Sequence, residues 1–137
     1  ISRDFALDPD ATSVGTPRAE LFAHRRGVCQ DFAHDGIACL RAMGLAARYV
    51  SGYIRTVAPP GGEKLQGADA SHAWLAAFVP GWGWLAVDPT NDMIAGEDHV
   101  TVAWGRDYDD VSPIRGVVLG GGHHHIDVAV DVDPCPG

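Results

Sequence analysis

Cys29 stands where a cysteine can act as a nucleophile. The local run is Gly27-Val28-Cys29-Gln30-Asp31-Phe32-Ala33. After it, apolar or small residues fall at Phe32, Ala33, Gly36, Ile37 and Leu40. That is helical spacing, and it puts Cys29 in the first turn, on the buried side. A helix start carries N–H groups without intrahelical partners and a partial positive charge. Both favour the thiolate, which is the reactive form. Arg25 and Arg26 stand just upstream and push the same way. Farther on come Ser71-His72-Ala73-Trp74 and Val87-Asp88-Pro89-Thr90-Asn91. A cysteine, a histidine and an aspartate are the set that thiol acyl transfer needs. In that chemistry Cys29 attacks a carbonyl carbon. His72 takes the thiol proton and later protonates the leaving group. Asp88 orients the imidazole and stabilises its charged form. The Cys29 N–H helps to bind the developing oxyanion.

The elements that must position these residues can be read from the pattern. Ile1 to Val14 has no strong period and reads as loop. Thr16 suits a cap and Pro17 a first helical position, which predicts a helix to about Arg25. Gly27 separates it from a second helix, Cys29 to Met43, stopped by Gly44. The period then becomes two. Arg48 to Arg55 reads as a strand, with Gly52 marking a bulge or a close backbone approach. Pro59-Pro60-Gly61-Gly62 opens a loop to about Asp69. His72 to Val79 is a second strand, with His72, Trp74, Ala76 and Phe78 on one face. Pro80-Gly81-Trp82-Gly83 is a turn, and Trp84 to Asp88 the return strand. Ile126, Val128, Val130 and Val132 alternate with Asp127, Ala129, Asp131 and Asp133, which predicts a last strand. Helices first and strands after indicate a single α+β domain, residues 1–137, with an antiparallel sheet.

His72 opens one strand of the predicted hairpin and Asp88 closes the next. They share a face only if paired residue numbers have an even sum. A two-residue turn gives an odd sum. The triad therefore requires an odd-length loop or a bulge, which Gly81 and Gly83 permit.

Composition narrows the partners. A chain of 137 residues buries roughly two-thirds of its unfolded surface, enough for a core without staples. A net charge of −8 argues against nucleic acid or an anionic membrane as partner. The apolar runs are too short to span a bilayer. The first residue is Ile1 and no signal peptide is visible, so an excised or processed chain is expected. The 3 cysteines are odd in number and lack CxxC spacing, which favours a reducing, cytoplasmic setting. Cys39 reads as a small apolar helix residue and Cys135 as incidental. No cofactor or metal is called for. His123-His124-His125 alternate in direction along an extended chain and do not close on one ion. Asp107-Tyr108-Asp109-Asp110 reads as a solvated turn. Tyr53 and Trp74, with Trp82 and Trp84, are candidates for a substrate wall, the alternative being core packing or hairpin pairing.

Four stretches taken together resemble the transglutaminase-like family. They are Gly27-Val28-Cys29-Gln30-Asp31-Phe32-Ala33-His34, Ala46 through Tyr53, Ala70-Ser71-His72-Ala73-Trp74, and Gly83 through Asn91. The segment from Thr101 through Tyr108 and on to Gly122 resembles bacterial members. The resemblance implies a papain-like fold, with Cys29, His72 and Asp88 as the catalytic three. It implies a protein or peptide substrate, through an amide or a glutamine side chain. The acyl acceptor, amine or water, stays open. Bacterial members often carry a β-rich domain upstream, so this chain is expected to be the catalytic part of a longer one. Calcium dependence belongs to animal members and is not implied here, since no EF-hand-like loop is present. The alternative is a non-catalytic module of the same family that binds or scaffolds.

Overall fold

The computed structural model describes residues 1–8, 10–12, 16–57, 60–61, 71–114, 116–117, 119–121, 123, 125 and 128–135. Ten elements follow in order. They are β1 (Ala6–Leu7), α1 (Arg18–His24), β2 (Arg26–Gly27), α2 (Cys29–Ala42), β3 (Ala47–Ile54), β4 (Ser71–Val79), β5 (Gly83–Asp88), β6 (Met93–Ile94), β7 (His99–Gly105) and a 3₁₀ turn (Tyr108–Asp110). Five strands make one sheet in the order β6-β5-β4-β3-β7, and every pair in it is antiparallel. The short β1 and β2 pair in parallel beside the start of α2. The α+β class is as expected.

α2 is the central helix because one side of it is apolar. Phe32, Ala33, Gly36 and Ile37 are buried. Ala33 and Ile37 meet the sheet at Ala47, Tyr49, Ala73 and Leu75, with Val111 closing one side, while Phe32 packs on Phe5. Full burial of a large side chain such as Phe32 contributes roughly 1.5–3 kcal/mol. Gly36 lets helix and sheet approach, since a Cβ there would collide with the Leu75 side chain. At the start of α2 the Asp31 carboxylate accepts the N–H of Val28 at 2.9 Å, satisfying a donor at the helix entry. At its end Gly44 turns the chain with φ +78. Arg41 then bonds the carbonyls of Ala47 and Arg106, tying α2 to β3 and to the residue after β7.

Most element ends fall within a residue or two of the expectation. α1 starts later than predicted: Pro17, not Thr16, occupies the N-cap position. The β4–β5 turn contains three residues, Pro80, Gly81 and Trp82, because Val79 pairs with Gly83. Gly81 and Gly83 carry φ of +85 and +93, which glycine adopts without strain. Pair numbers in this ladder have an even sum, as in Leu75 with Val87.

Several assignments differ from the sequence reading, among them the two-residue strands β1, β2 and β6, the first of which lies in a stretch expected to be loop. β7 was not expected, and it takes the edge beside β3. Between Ser51 and Gly52 its register slips by one residue, leaving Val102 without a partner in the ladder. The strand expected near residues 126–133 is not formed: residues 128–135 have no regular structure, while Ile126 and Asp127 lie outside the described residues. Alternation alone could not supply that segment with a neighbour. Most of the Pro59–Asp69 loop and His124 also lie outside the described residues. Among the described residues, no helix is long and apolar enough to cross a membrane.

Candidate active site

A cavity of about 500 Å³ lies between the start of α2 and the ends of β3, β4 and β5. Cys29 and His72 line it, together with Leu7, Ile54, Arg55 and Asn91. Cys29 is the first residue of α2 and half-buried. As a first-turn residue it has an N–H without an intrahelical acceptor. His72 is the second residue of β4, opposite Gly52 of β3. A Cβ on Gly52 would meet the Val100 carbonyl and the Trp74 ring, so only glycine lets the strands close here.

Asp88 ends β5 and is completely buried. The even register sets it on the same face as His72. Its Oδ2 lies 2.7 Å from His72 Nε2. The carboxylate accepts more than that one bond. Asn91 Nδ2 donates to Oδ2 at 2.7 Å, and His99 Nε2 lies 3.0 Å from it. The backbone N–H groups of Thr90 and Asn91 donate to Oδ1 at 2.9 and 3.2 Å. A dry carboxylate is tolerable only when its lone pairs are taken up in this way.

The electrostatics follow from these contacts. Burial alone would raise the pKa of Asp88, but donors from His72, Asn91 and His99 hold its carboxyl well below the usual range. Burial alone would lower that of His72. Its hydrogen bond to the Asp88 carboxylate and its interaction with Cys29 outweigh burial and push the imidazole up to about 9. With Nε2 turned to Asp88, Nδ1 is the nitrogen left for the cavity and Cys29. Tyr49 is nearly fully buried in β3, behind the helix start. Burial first, then the nearby Cys29, Tyr108 and Asp31, pushes its phenol up, so it stays protonated. His34 stacks on Tyr49 at 4.8 Å and accepts the Tyr108 N–H, so the 3₁₀ turn docks against α2.

Not every expected site residue joins the cavity. Arg25 and Arg26 are exposed, and Arg26 faces Asp8 at 3.5 Å instead of the cavity. Trp74 is fully buried, packed on His72 at 5.8 Å and on His99 at 5.2 Å. It therefore supports the site from beneath and does not line it. Tyr53 lines a separate hollow of about 50 Å³. Cys39 and Cys135 are exposed free thiols. Asp107 caps the 3₁₀ turn through the Asp109 N–H, and Asp110 accepts the Arg106 N–H, so these carboxylates serve the turn itself.

Three residues near the site carry no role in the sequence reading: Arg55, Asn91 and His99. Arg55 stands on the cavity wall, paired with Asp98. Asn91 lay within a recognised stretch, and its three-residue spacing from Asp88 was a usable sign of an Asx-type turn. His99 had no local signal. The ligand atoms of His72, Asp88 and His99 lie within 4.8 Å of one another, a spacing that could hold a metal ion. Here they are joined by hydrogen bonds, and the carboxylate is already saturated with donors.

Comparison with known proteins adds a lineage. The model of the Transglutaminase-like superfamily matches residues 2–89. An uncharacterised protein of Mycobacterium tuberculosis is 46% identical over 142 residues, covering 100% of this chain and 45% of that protein. A protein-glutamine gamma-glutamyltransferase of Pseudomonas aeruginosa is 40% identical over 88 residues, 63% of this chain and 13% of the transferase. The solved structure of a candidate cysteine protease from Cytophaga hutchinsonii superimposes with a TM-score of 0.65 and 31% identity, over 81% of this chain and 35% of that one. The chain thus spans less than half the length of its mycobacterial relative.

Proposed function

Since the chain belongs to the transglutaminase-like superfamily, we propose that it performs thiol-dependent acyl transfer or amide hydrolysis through Cys29, His72 and Asp88. The observation that carries the reading is the convergence of Cys29 and His72 on one cavity, with Asp88 held 2.7 Å behind the imidazole. The papain-like fold of the relatives is consistent with it.

The Cys29 thiolate attacks the carbonyl carbon of a protein or peptide amide, forming an S–C bond. The carbonyl π electrons move to oxygen, and the Cys29 N–H binds that oxyanion. The C–N bond then breaks as His72 gives its Nδ1 proton to the leaving nitrogen. A thioester remains. Water or an amine attacks it, His72 takes the attacker's proton, and the thiolate leaves. Throughout, Asp88 stays an anion and holds the ring. A glutamine side chain as substrate would give deamidation with water and cross-linking with an amine. Cytoplasmic residence is part of this reading, because attack needs a free thiol and all three cysteines are free.

Labelling with a thiol-reactive probe near neutral pH, read by mass spectrometry, tests the reading. Cys29 is expected to react well ahead of Cys39 and Cys135, although both of those are more exposed. Equal labelling of Cys29 and Cys39 would favour the non-catalytic module instead. Incubation of a glutamine peptide with and without a primary amine then separates transfer from hydrolysis by product mass.

A further inference from the structure

Two imidazoles approach Asp88, and only one of them lines the Cys29 cavity. The other is His99, at the start of the edge strand β7. Its side chain is 2% exposed, nearly as buried as Asp88 itself. Both of its ring nitrogens are occupied. Nδ1 accepts the Gly96 N–H at 3.3 Å, so the ring hydrogen sits on Nε2. Nε2 lies 3.0 Å from Asp88 Oδ2. The ring also stands edge-on to Trp74, with centroids 5.2 Å apart at 81°. A side chain fixed at both nitrogens, and against a buried indole, has one orientation open to it.

We infer that His99 is a positioning residue: its Nε2–H donates to Asp88 Oδ2, holds that carboxylate against His72 and keeps water from it. It acts through Asp88, since it is absent from the cavity wall. The inference rests on the proposed roles of Cys29, His72 and Asp88. Removing the ring opens a gap beside a desolvated carboxylate. Water entering there screens the attraction between Asp88 and the His72 imidazolium. The imidazolium then stabilises the Cys29 thiolate less. The ionisable groups acting on His72 are Asp88 from β5 and Cys29 from α2; His99 from β7 meets Asp88, Tyr49 from β3 interacts with Cys29, and Arg55 shares their cavity. Of these groups, only His99 changes in the His99 variants below.

The test is the pH profile of Cys29 alkylation by iodoacetamide, measured in the full chain and in His99→Ala, His99→Gln, His99→Phe and His72→Ala. His99→Ala should move the onset upward by about half to one pH unit, which is roughly three- to tenfold slower labelling below the transition. His99→Gln restores an N–H donor and should recover most of the rate. His99→Phe fills the space without donating and should stay shifted. With an activated ester as substrate, kcat should fall while KM holds, because the cavity wall is untouched. If His99→Ala does not fold, the comparison of Gln with Phe decides alone. A wild-type profile in the His99 variants, with His72→Ala clearly shifted, overturns the role of His99 and leaves the triad reading standing. Unchanged profiles in both sets overturn the triad reading and this inference with it.

Discussion

One face of the sheet carries two polar clusters at opposite ends, built on opposite principles. At one end the side chains of Asp88, His72 and His99 are buried and joined by short hydrogen bonds. At the other, the Arg48 guanidinium lies between the rings of Trp84 and Trp104, at 4.3 and 4.2 Å. Those rings are 44% and 60% exposed. Asp88 gathers five donors, whereas Arg48 Nε is buried without a hydrogen-bond partner. The guanidinium there is held by ring faces, a contact worth about 0.5–1 kcal/mol at an exposed site. The carboxylate is held by charge-assisted bonds in a dry place, where each partner matters more. Exposed aromatics draw the eye on a surface map, but the polar groups of this fold that are hidden and fully bonded lie at the other end of the sheet.

This contrast can be broken by substitution. The largest effect belongs to Cys29→Ser, which should lower turnover of an activated ester by about a thousandfold or more while the fold survives. A serine alkoxide is far harder to form beside the same imidazole. Activity within tenfold of wild type would remove Cys29 from the chemistry. Next comes Asp88→Ala, which strands the donors of two histidines and Asn91 in a dry site. Denaturant unfolding should show a loss of about 3 kcal/mol or more. Gly52→Ala should cost less but still destabilise clearly, by about 1–3 kcal/mol, with the strain falling on the β3–β7 junction. Smallest is Arg48→Ala, expected to change stability by about 1 kcal/mol or less and ester turnover hardly at all. If Arg48→Ala outweighed Asp88→Ala, the ranking of the two ends would be reversed and the argument from burial would fail.

The pH dependence of stability sharpens the same comparison. His72 is raised in the folded state, to about 9. Its contribution is fully present below about 6.5, the unfolded value, and is lost as pH rises through about 9. Asp88 is depressed in the folded state. Its contribution is present above about 3.9 and lost only in strong acid. Thermal melting should therefore show a decline on the alkaline side that His72→Ala largely abolishes. A decline of equal size in that variant would place its origin elsewhere.

The elements around the candidate site were legible because their signals are local. The 3.6 period after Cys29 and the period of two in β4 and β5 located the helix and hairpin. The hairpin register could be stated in advance as a parity condition, and the three-residue turn meets it. β7 escaped notice because it is an edge strand, exposed along much of its length, so burial imposed no alternation on it. The opposite error arose near residue 130, where a clean alternation of Val and Asp has no strand to pair with. His99 escaped for a deeper reason. Its partner lies eleven residues upstream on a strand three positions away in the sheet, and only the tertiary fold brings them together.

The unpartnered Val102 determines which way His99 faces. Before the slip, Ser51 pairs with Ala103; after it, Ile54 pairs with His99. Side chains alternate along a strand, so one extra residue exchanges inside for outside from that point on. With Val102 taken into the ladder, His99 would stand level with Arg55 and point to the helix side, away from Asp88. A residue that touches nothing in the site thus fixes the aim of one that does. In evolutionary terms, the residue type at position 102 is free to vary, whereas a ladder that took Val102 in would rewire the site while leaving every one of its side chains in the sequence.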